Sequence, residues 1–457
     1  MMTESQRAAL AEYAAVKGQC PARERLAALF DDGVYTETGS NLRAGENLAG
    51  VVTAYGYIGG TPAYAFSQDS TVMKGAVSLA HSAKICKMFE LAARNGVPVV
   101  GIYDSCGAFV EDGADALNAY SDILLSMGSL SGVVPMVSVI SGVCAGTMAM
   151  IASSADFSVI TDGAELYLDA SGNNASAESA AKSGAVSAYA KSDAEAMDTV
   201  RRYLSLMPQN NLSPLPEFEF DAPVSAAFDN AENAAESIAD AGSILEVYGE
   251  YGTASYTALC TVSGVTAGIA ATNKTKDKLT SADCSKIARF VRLCDAYSIP
   301  VITVADTEGF DLYGADMVRV GAALAGAYAE ASCAKIALVS GKACGMAYIA
   351  FAGRNVAADA VYALPEAVIA PMDPVSAAEF LYHDKLKGAD DLAAARAQVA
   401  KEYAENEGSA FAAAAKGAAD EVVTAENVRA AVASVLDVTA GKRLNKRLPK
   451  KHNILPL

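Results

Sequence analysis

The residues best placed to do chemistry in this chain are backbone groups at two glycine turns. Ser141-Gly142-Val143-Cys144-Ala145-Gly146-Thr147 and Ser340-Gly341-Lys342-Ala343-Cys344-Gly345-Met346 each close an apolar strand on a glycine. A glycine turn leading from a strand into a helix presents N–H groups that no intrahelical carbonyl uses, with the positive end of the helix dipole behind them. Such donors stabilise an enolate or a tetrahedral oxyanion, and one preorganised donor is worth roughly 2.7–4 kcal/mol. Gly146-Thr147 and Gly345-Met346-Ala347 are the candidate catalytic groups. Glycine at one strand–helix junction is equally well explained by packing, so the functional reading rests on the recurrence.

Side-chain catalysts are scarce. The only histidines are His81, His383 and His452; no G-x-S-x-G elbow occurs, no histidine pair has metal-ligand spacing, and no metal site is expected. His81, on a predicted helix, reads as a surface or hydrogen-bonded histidine rather than a base. Chemistry that uses backbone donors and a reactive substrate suits this composition.

The turns belong to a longer repeat. Val97-Pro98-Val99-Val100 runs into Asp104 and Gly107, and Ile299-Pro300-Val301-Ile302 runs into Asp306 and Gly309. Lys84-Ile85 answers to Lys286-Ile287, with an offset of 202 up to Gly107/Gly309 and of 199 from Ser141/Ser340 onward. A register held over so many positions is the mark of a duplicated domain. Strand and helix patterns alternate: a helix around 22–30, a Gly59-Gly60 hairpin between strands at 50–58 and 62–66, a helix over 81–95, and a buried strand, turn and core helix within 131–152. The expected architecture is α/β with repeated crossovers. The Ala/Ser/Gly-rich stretch 171–191 and the proline-broken stretch 207–216 are assigned to the linker, giving domains 1–215 and 216–457. The Ala-rich segments 392–404 and 426–436 read as covering helices.

With 52% hydrophobic residues the two halves can each bury a core, and no charge-free apolar run reaches membrane-spanning length. The N-terminus lacks a signal-peptide pattern, so a cytoplasmic enzyme is expected. A formal charge of −18 disfavours nucleic acid as a partner. The basic run 442–451 reads as a solvated or subunit-docking tail, with an anion-binding patch as the alternative. The nine cysteines form no C-x-x-C pair, which fits reduced, buried thiols.

At Ala22-Arg23-Glu24-Arg25-Leu26, Ser67-Gln68-Asp69-Ser70-Thr71-Val72, Ala83-Lys84-Ile85-Cys86-Lys87, Asp104-Ser105-Cys106-Gly107-Ala108, Cys144-Ala145-Gly146, Leu206-Met207-Pro208-Gln209-Asn210-Asn211-Leu212, Ala327-Tyr328-Ala329-Glu330-Ala331 and Lys450-Lys451-His452-Asn453-Ile454, the chain resembles a known family. These are the carboxyltransferase subunits of biotin-dependent acyl-CoA carboxylases, of the propionyl-CoA carboxylase beta type, and the related acyl-CoA decarboxylases. The match covers nearly the whole chain. The resemblance implies tandem duplicated crotonase-like (ClpP/crotonase) domains, the N-terminal one on the acyl-CoA side and the C-terminal one on the biotin side. It further implies a homo-oligomer, usually a hexamer, with sites where the N-terminal domain of one subunit meets the C-terminal domain of another.

The coenzyme A thioester is the implied substrate, and biotin the implied cofactor, carried on a separate protein because nothing here resembles a biotinyl domain or a biotin carboxylase. Partners would be a biotin carboxyl carrier protein, with a biotin carboxylase subunit or a membrane decarboxylase pump subunit. Carried over by position, Gly146 and Thr147 line the acyl-CoA hole and Met346 and Ala347 the biotin one. Cys106, Gly107, Ala108, Cys144, Ala145, Tyr348 and Ile349 are the implied substrate-binding residues. Family Gly-Gly pairs read Gly146-Thr147 and Gly345-Met346, a Gly-Gly-Ala-Arg turn reads Cys106-Gly107-Ala108-Phe109, and Ser187 stands where histidine is common. The rival readings are the catalytic subunit of a sodium-pumping acyl-CoA decarboxylase, a non-catalytic scaffold with degenerate holes, and a hydratase or isomerase using Glu111, Asp112 or Glu308 as base.

Overall fold

The structure, a computed structural model, describes residues 2–169, 175–311, 314 and 316–442. The chain divides into two compact units, Met1–Pro214 and Leu215–Leu457. The boundary falls within the proline-broken stretch. The preceding Ala/Ser/Gly-rich stretch, by contrast, is not linker from 175 onward: the helix Ala177–Lys182 and the strand Ala188–Ala190 join the first unit. Small residues there pack Ala177, Ala180 and Ala181 into the core. Residues 171–174, the tail 443–451, His452 and the 450–454 landmark lie outside the described residues.

The first unit is built on one sheet. The hairpin Val51–Ile58/Thr61–Gln68 is antiparallel, and Val99–Ser105, Met136–Ala145, Phe157–Thr161 and Ala188–Ala190 follow in parallel order. Gly59 and Gly60 turn the hairpin at φ 58° and 75°, the left-handed pair such a two-residue turn requires, and both donate their N–H groups to the Asp31 carboxylate at 2.9 Å. The second unit repeats the plan: Tyr256–Val262/Val265–Ala271 antiparallel, then Val301–Ala305, Lys335–Val339, Ala360–Ala363 and Glu421–Val422 parallel.

The crossover helices correspond as well. Leu79–Asn95 starts at Ser78, whose Oγ accepts the His81 N–H, and stops at Gly96 in the left-handed region. Ser281–Ala296 starts at Thr280 in a reciprocal capping box with Asp283. Their apolar faces lie on the sheets through Ile85, Met88 and Phe89 in one unit and Ile287, Phe290 and Val291 in the other, all buried. Each helix also sends a lysine inward. Lys84 Nζ donates to the Val51 carbonyl, and Lys286 Nζ to the Ser255 and Gly252 carbonyls at 2.9 and 3.3 Å. Burial pulls both ammonium groups down to about 8.

Candidate active site

In the first unit two turns emerge side by side from the carboxyl ends of adjacent parallel strands. Ser105 of Val99–Ser105 pairs with Cys144 of Met136–Ala145, so residues 106–108 and 146–147 leave the sheet together. Gly107 bends at φ 116° with its N–H held by Ser105 Oγ at 3.2 Å. On either side of Ala108, the Val77 N–H donates to the Gly107 carbonyl and the Phe109 N–H to the Val77 carbonyl, a pattern that leaves the Ala108 N–H facing away from this pairing. Gly146 sits at φ 66°, ψ −139°, a conformation reserved for glycine, and starts the helix Thr147–Ser153.

Its N–H donates to the Tyr167 carbonyl at 2.9 Å. This corrects the expectation for Gly146: it supplies the bend, and the first open donor is the Thr147 N–H, the first of the four a helix leaves unpaired. The same holds in the second unit. Gly345, at φ 55°, ψ −121°, gives its N–H to the Ala370 carbonyl at 2.9 Å, so the open donor belongs to Met346. The companion donor is the Phe310 N–H, flanked by the Leu279–Gly309 and Asp311–Leu279 bonds as Ala108 is by its pair. Sequence reasoning missed Phe310, although its offset of 202 from Ala108 marks it.

An aspartate braces each pair of turns. The Asp104 and Asp306 carboxylates press so close to Gly142 and Gly341 that a Cβ there would lie 2.3 and 2.2 Å from the oxygen. Arg25 donates to Asp104 Oδ2 and to the Ser141 carbonyl, both at 2.9 Å, and through Nε to Asp193. In the second unit Lys342 donates its backbone N–H to Asp306 Oδ1 at 2.8 Å and its Nζ to Glu308 and Asp373, each at 2.6 Å.

Other expected site residues take different places. Cys106 and Ala108 are exposed at the first turn, whereas Cys144 is fully buried and Ala145 nearly so, leaving only their backbones to the site. Burial pushes the Cys144 thiol well above its ordinary range. Met346 and Ile349 are exposed beside the second turn, Ala347 is buried, and Tyr348 is spent on the Ala418 carbonyl through a 2.7 Å hydrogen bond. Ser187 is buried in reciprocal 3.1 Å bonds with Ser158.

His81 is fully buried rather than at the surface, with Nε2 3.2 Å from the Gln68 amide and Nδ1 lacking a hydrogen-bond partner. Burial, aided by Lys84, pulls its pKa down to about 3. Of the carboxylates weighed as bases, Asp112 accepts the Leu79 N–H at 3.1 Å and Glu308 is paired with Lys342.

Each half places two turns at the carboxyl ends of adjacent parallel strands, with the Ala108 and Thr147 N–H groups at one pair and those of Phe310 and Met346 at the other. The chain belongs to the carboxyl transferase domain family, whose model matches residues 14–455. It is 33% identical to the methylmalonyl-CoA decarboxylase subunit alpha of Propionigenium modestum, over 96% of this chain and 94% of that one. It is also 33% identical to the methylmalonyl-CoA carboxyltransferase 12S subunit of Propionibacterium freudenreichii subsp. shermanii, over 96% and 92%. The propionyl-CoA carboxylase beta chain of Cereibacter sphaeroides is 31% identical over 96% and 94%. Among solved structures, the transcarboxylase 12S hexamer with hydrolysed methylmalonyl-CoA bound superposes with a TM-score of 0.89 at 31% identity, covering 100% of both chains. The tandem crotonase-like fold and the carboxyltransferase class expected from sequence are those of the protein.

Proposed function

We propose that this chain transfers CO2 between biotin on a separate carrier protein and a short acyl-CoA, with the methylmalonyl-CoA/propionyl-CoA pair as its substrates. The observation that carries the reading is the duplicated donor pair, Ala108 with Thr147 and Phe310 with Met346, at the carboxyl ends of adjacent parallel strands. The choice of acyl group follows the names of the relatives, in which methylmalonyl-CoA and propionyl-CoA recur.

The first unit is assigned the acyl-CoA. Ala108 and Thr147 point their N–H groups at the thioester oxygen and hold the negative charge that develops there when the α-carbon gains or loses CO2. The second unit is assigned biotin, which when bound supplies the nitrogen that carries CO2 and exchanges the α-proton. Phe310 and Met346 N–H groups orient a ring carbonyl there. The residues fit both groups: no atom within 4 Å would meet a Cβ at Gly107, Gly146 or Gly309, and Met346 and Ile349, 45% and 55% exposed, offer an apolar flank to a neutral ring. No protein base is required, which suits a chain whose His81 is sealed in the core.

A homohexamer in the cytoplasm, served by a biotin carboxyl carrier protein, completes the proposal. Among the described residues no helix is long and apolar enough to cross a membrane, so a role in a membrane decarboxylase would need a separate spanning subunit. That second reading is favoured by the decarboxylase alpha subunit among the relatives. The test is mass-spectrometric detection of CO2 loss from methylmalonyl-, malonyl- and glutaconyl-CoA by purified protein, with and without free biotin. Biotin-dependent loss from methylmalonyl-CoA is expected; loss from none of the three would overturn the proposal.

A further inference from the structure

We infer that Lys342 is a positioning residue that locks the two donor turns of the second unit into one register, a role that rests on the carboxyltransfer reading for its kinetic consequence but not for its structural one. Lys342 opens the short strand Lys342–Cys344, three residues before Gly345. Its backbone and its side chain reach the same neighbouring turn. The Lys342 carbonyl accepts the Thr307 N–H at 2.8 Å, its N–H donates to Asp306 Oδ1 at 2.8 Å, and its Nζ lies 2.6 Å from Glu308 Oε2. Glu308 precedes Gly309 and hence the Phe310 donor.

The other arm of the ammonium reaches Asp373 Oδ2 at 2.6 Å. Asp373 caps the helix Pro374–Leu381 through the Val375 N–H and ends the segment that shapes the second turn. In that segment the Ala370 carbonyl takes the Gly345 N–H at 2.9 Å, and the Pro371 carbonyl lies 3.0 Å from where a Gly345 Cβ would stand. One cation therefore joins the Phe310 turn, the Met346 turn and the strand end that fixes the Gly345 bend.

The bland alternative is a surface ion pair, worth little. Against it, the Lys342 side chain is only 23% exposed and is held by two carboxylates at once. Burial works against its charge and the two carboxylates outweigh that, leaving Lys342 above its ordinary range; Asp373, despite partial burial, is held below its own. The first unit reaches the same end by another route. Val143 occupies the position equivalent to Lys342, and Arg25, from the helix Pro21–Leu29, supplies the bridging cation to Asp104 and the Ser141 carbonyl. Each unit thus commits one cation to its pair of turns from a different place in the sequence.

The experiment compares wild type, Lys342→Met, Lys342→Arg and Glu308→Gln, the last at an exposed carboxylate whose change leaves the core untouched. Peptide-resolved amide exchange is read alongside steady-state transfer from methylmalonyl-CoA to free biotin. Lys342→Met is expected to speed exchange in 306–311 and 343–351 but not in 104–109 or 144–152. It should lower kcat at least ~10-fold with KM for methylmalonyl-CoA held within about twofold, since small misplacements of reacting groups cost rate rather than binding. Lys342→Arg should restore most of both, and Glu308→Gln should fall between. Unchanged exchange and kcat in Lys342→Met, or equal damage in Lys342→Met and Lys342→Arg, would overturn the inference. A wild type that transfers nothing would sink the carboxyltransfer reading instead, and the exchange pattern alone would then decide the role of Lys342.

Discussion

Replacing Gly146 with alanine separates the shape of the turn from the space around it. A Cβ at Gly146 meets nothing within 4 Å, yet φ 66° with ψ −139° is a conformation other residues adopt only under strain of about 1–3 kcal/mol. The expected outcome is a folded protein with a lowered melting temperature and reduced turnover, read by calorimetry and the CO2 assay. Proline at Gly146 would be a poor probe, because its fixed φ near −65° cannot match the turn and the N–H it deletes already belongs to Tyr167. That acceptor arrives on the separate strand Glu165–Tyr167, so the sequence around Gly146 carries no sign of it.

His81 makes a second residue-scale prediction. Its folded pKa, about 3, lies below its ordinary 6.5, so between those values the unfolded chain binds more protons than the folded one. Stability contributed by the neutral, buried ring is present above pH 6.5 and is lost as pH falls toward 3, on the order of a few kcal/mol in all. Denaturant titrations across that window should show the slope reduced in His81→Gln. An unchanged slope would contradict the burial argument. The sequence placed His81 on a helix, but burial is set by contacts far along the chain, from Gly50 and Gln68.

At the scale of elements, the two inward lysines fasten crossover helices to their sheets. Lys286→Met would leave the Ser255 carbonyl without that donor at a cost of roughly 1–3 kcal/mol, and Lys84→Met would do the same at Val51. Each should lower the melting temperature, by more at alkaline than at neutral pH, where removal of the buried charge offsets part of the lost bond. Because burial has pulled both ammonium groups from 10.5 to about 8, their charged forms are penalised in the fold below pH 8, and the penalty is relieved as pH rises toward 10.5. The repeat of Lys84-Ile85 in Lys286-Ile287 is legible in sequence; that the lysine points inward to a carbonyl is not. The Gly59-Gly60 hairpin was legible because its chemistry is local, whereas the stretch from 175 to 191 misled because small residues serve tight packing as well as they serve linkers.

For the whole molecule, duplication was the most legible feature, since a register of 202 residues survives divergence of the side chains. It locates the turns and names Ala108, Thr147 and Met346 on them, but not Phe310, and it counts among the donors Gly146 and Gly345, whose N–H groups go to strand carbonyls. The division at Pro214/Leu215 predicts that limited proteolysis cuts first near Leu212 or Val224, 90% and 104% exposed, releasing two fragments; first cuts inside either unit would contradict it.

The central claim is that backbone N–H groups, and not side chains, carry the chemistry. Thr147 occupies the first position of its helix, where proline is tolerated, so Thr147→Pro deletes that N–H with little disturbance to the fold, while Thr147→Ala keeps it. The decisive measurement is biotin-dependent CO2 loss from methylmalonyl-CoA in these two variants. The account predicts a fall of about 10²–10³ in kcat for Thr147→Pro and near-wild-type rates for Thr147→Ala. A folded Thr147→Pro protein that turns over like the wild type would contradict it.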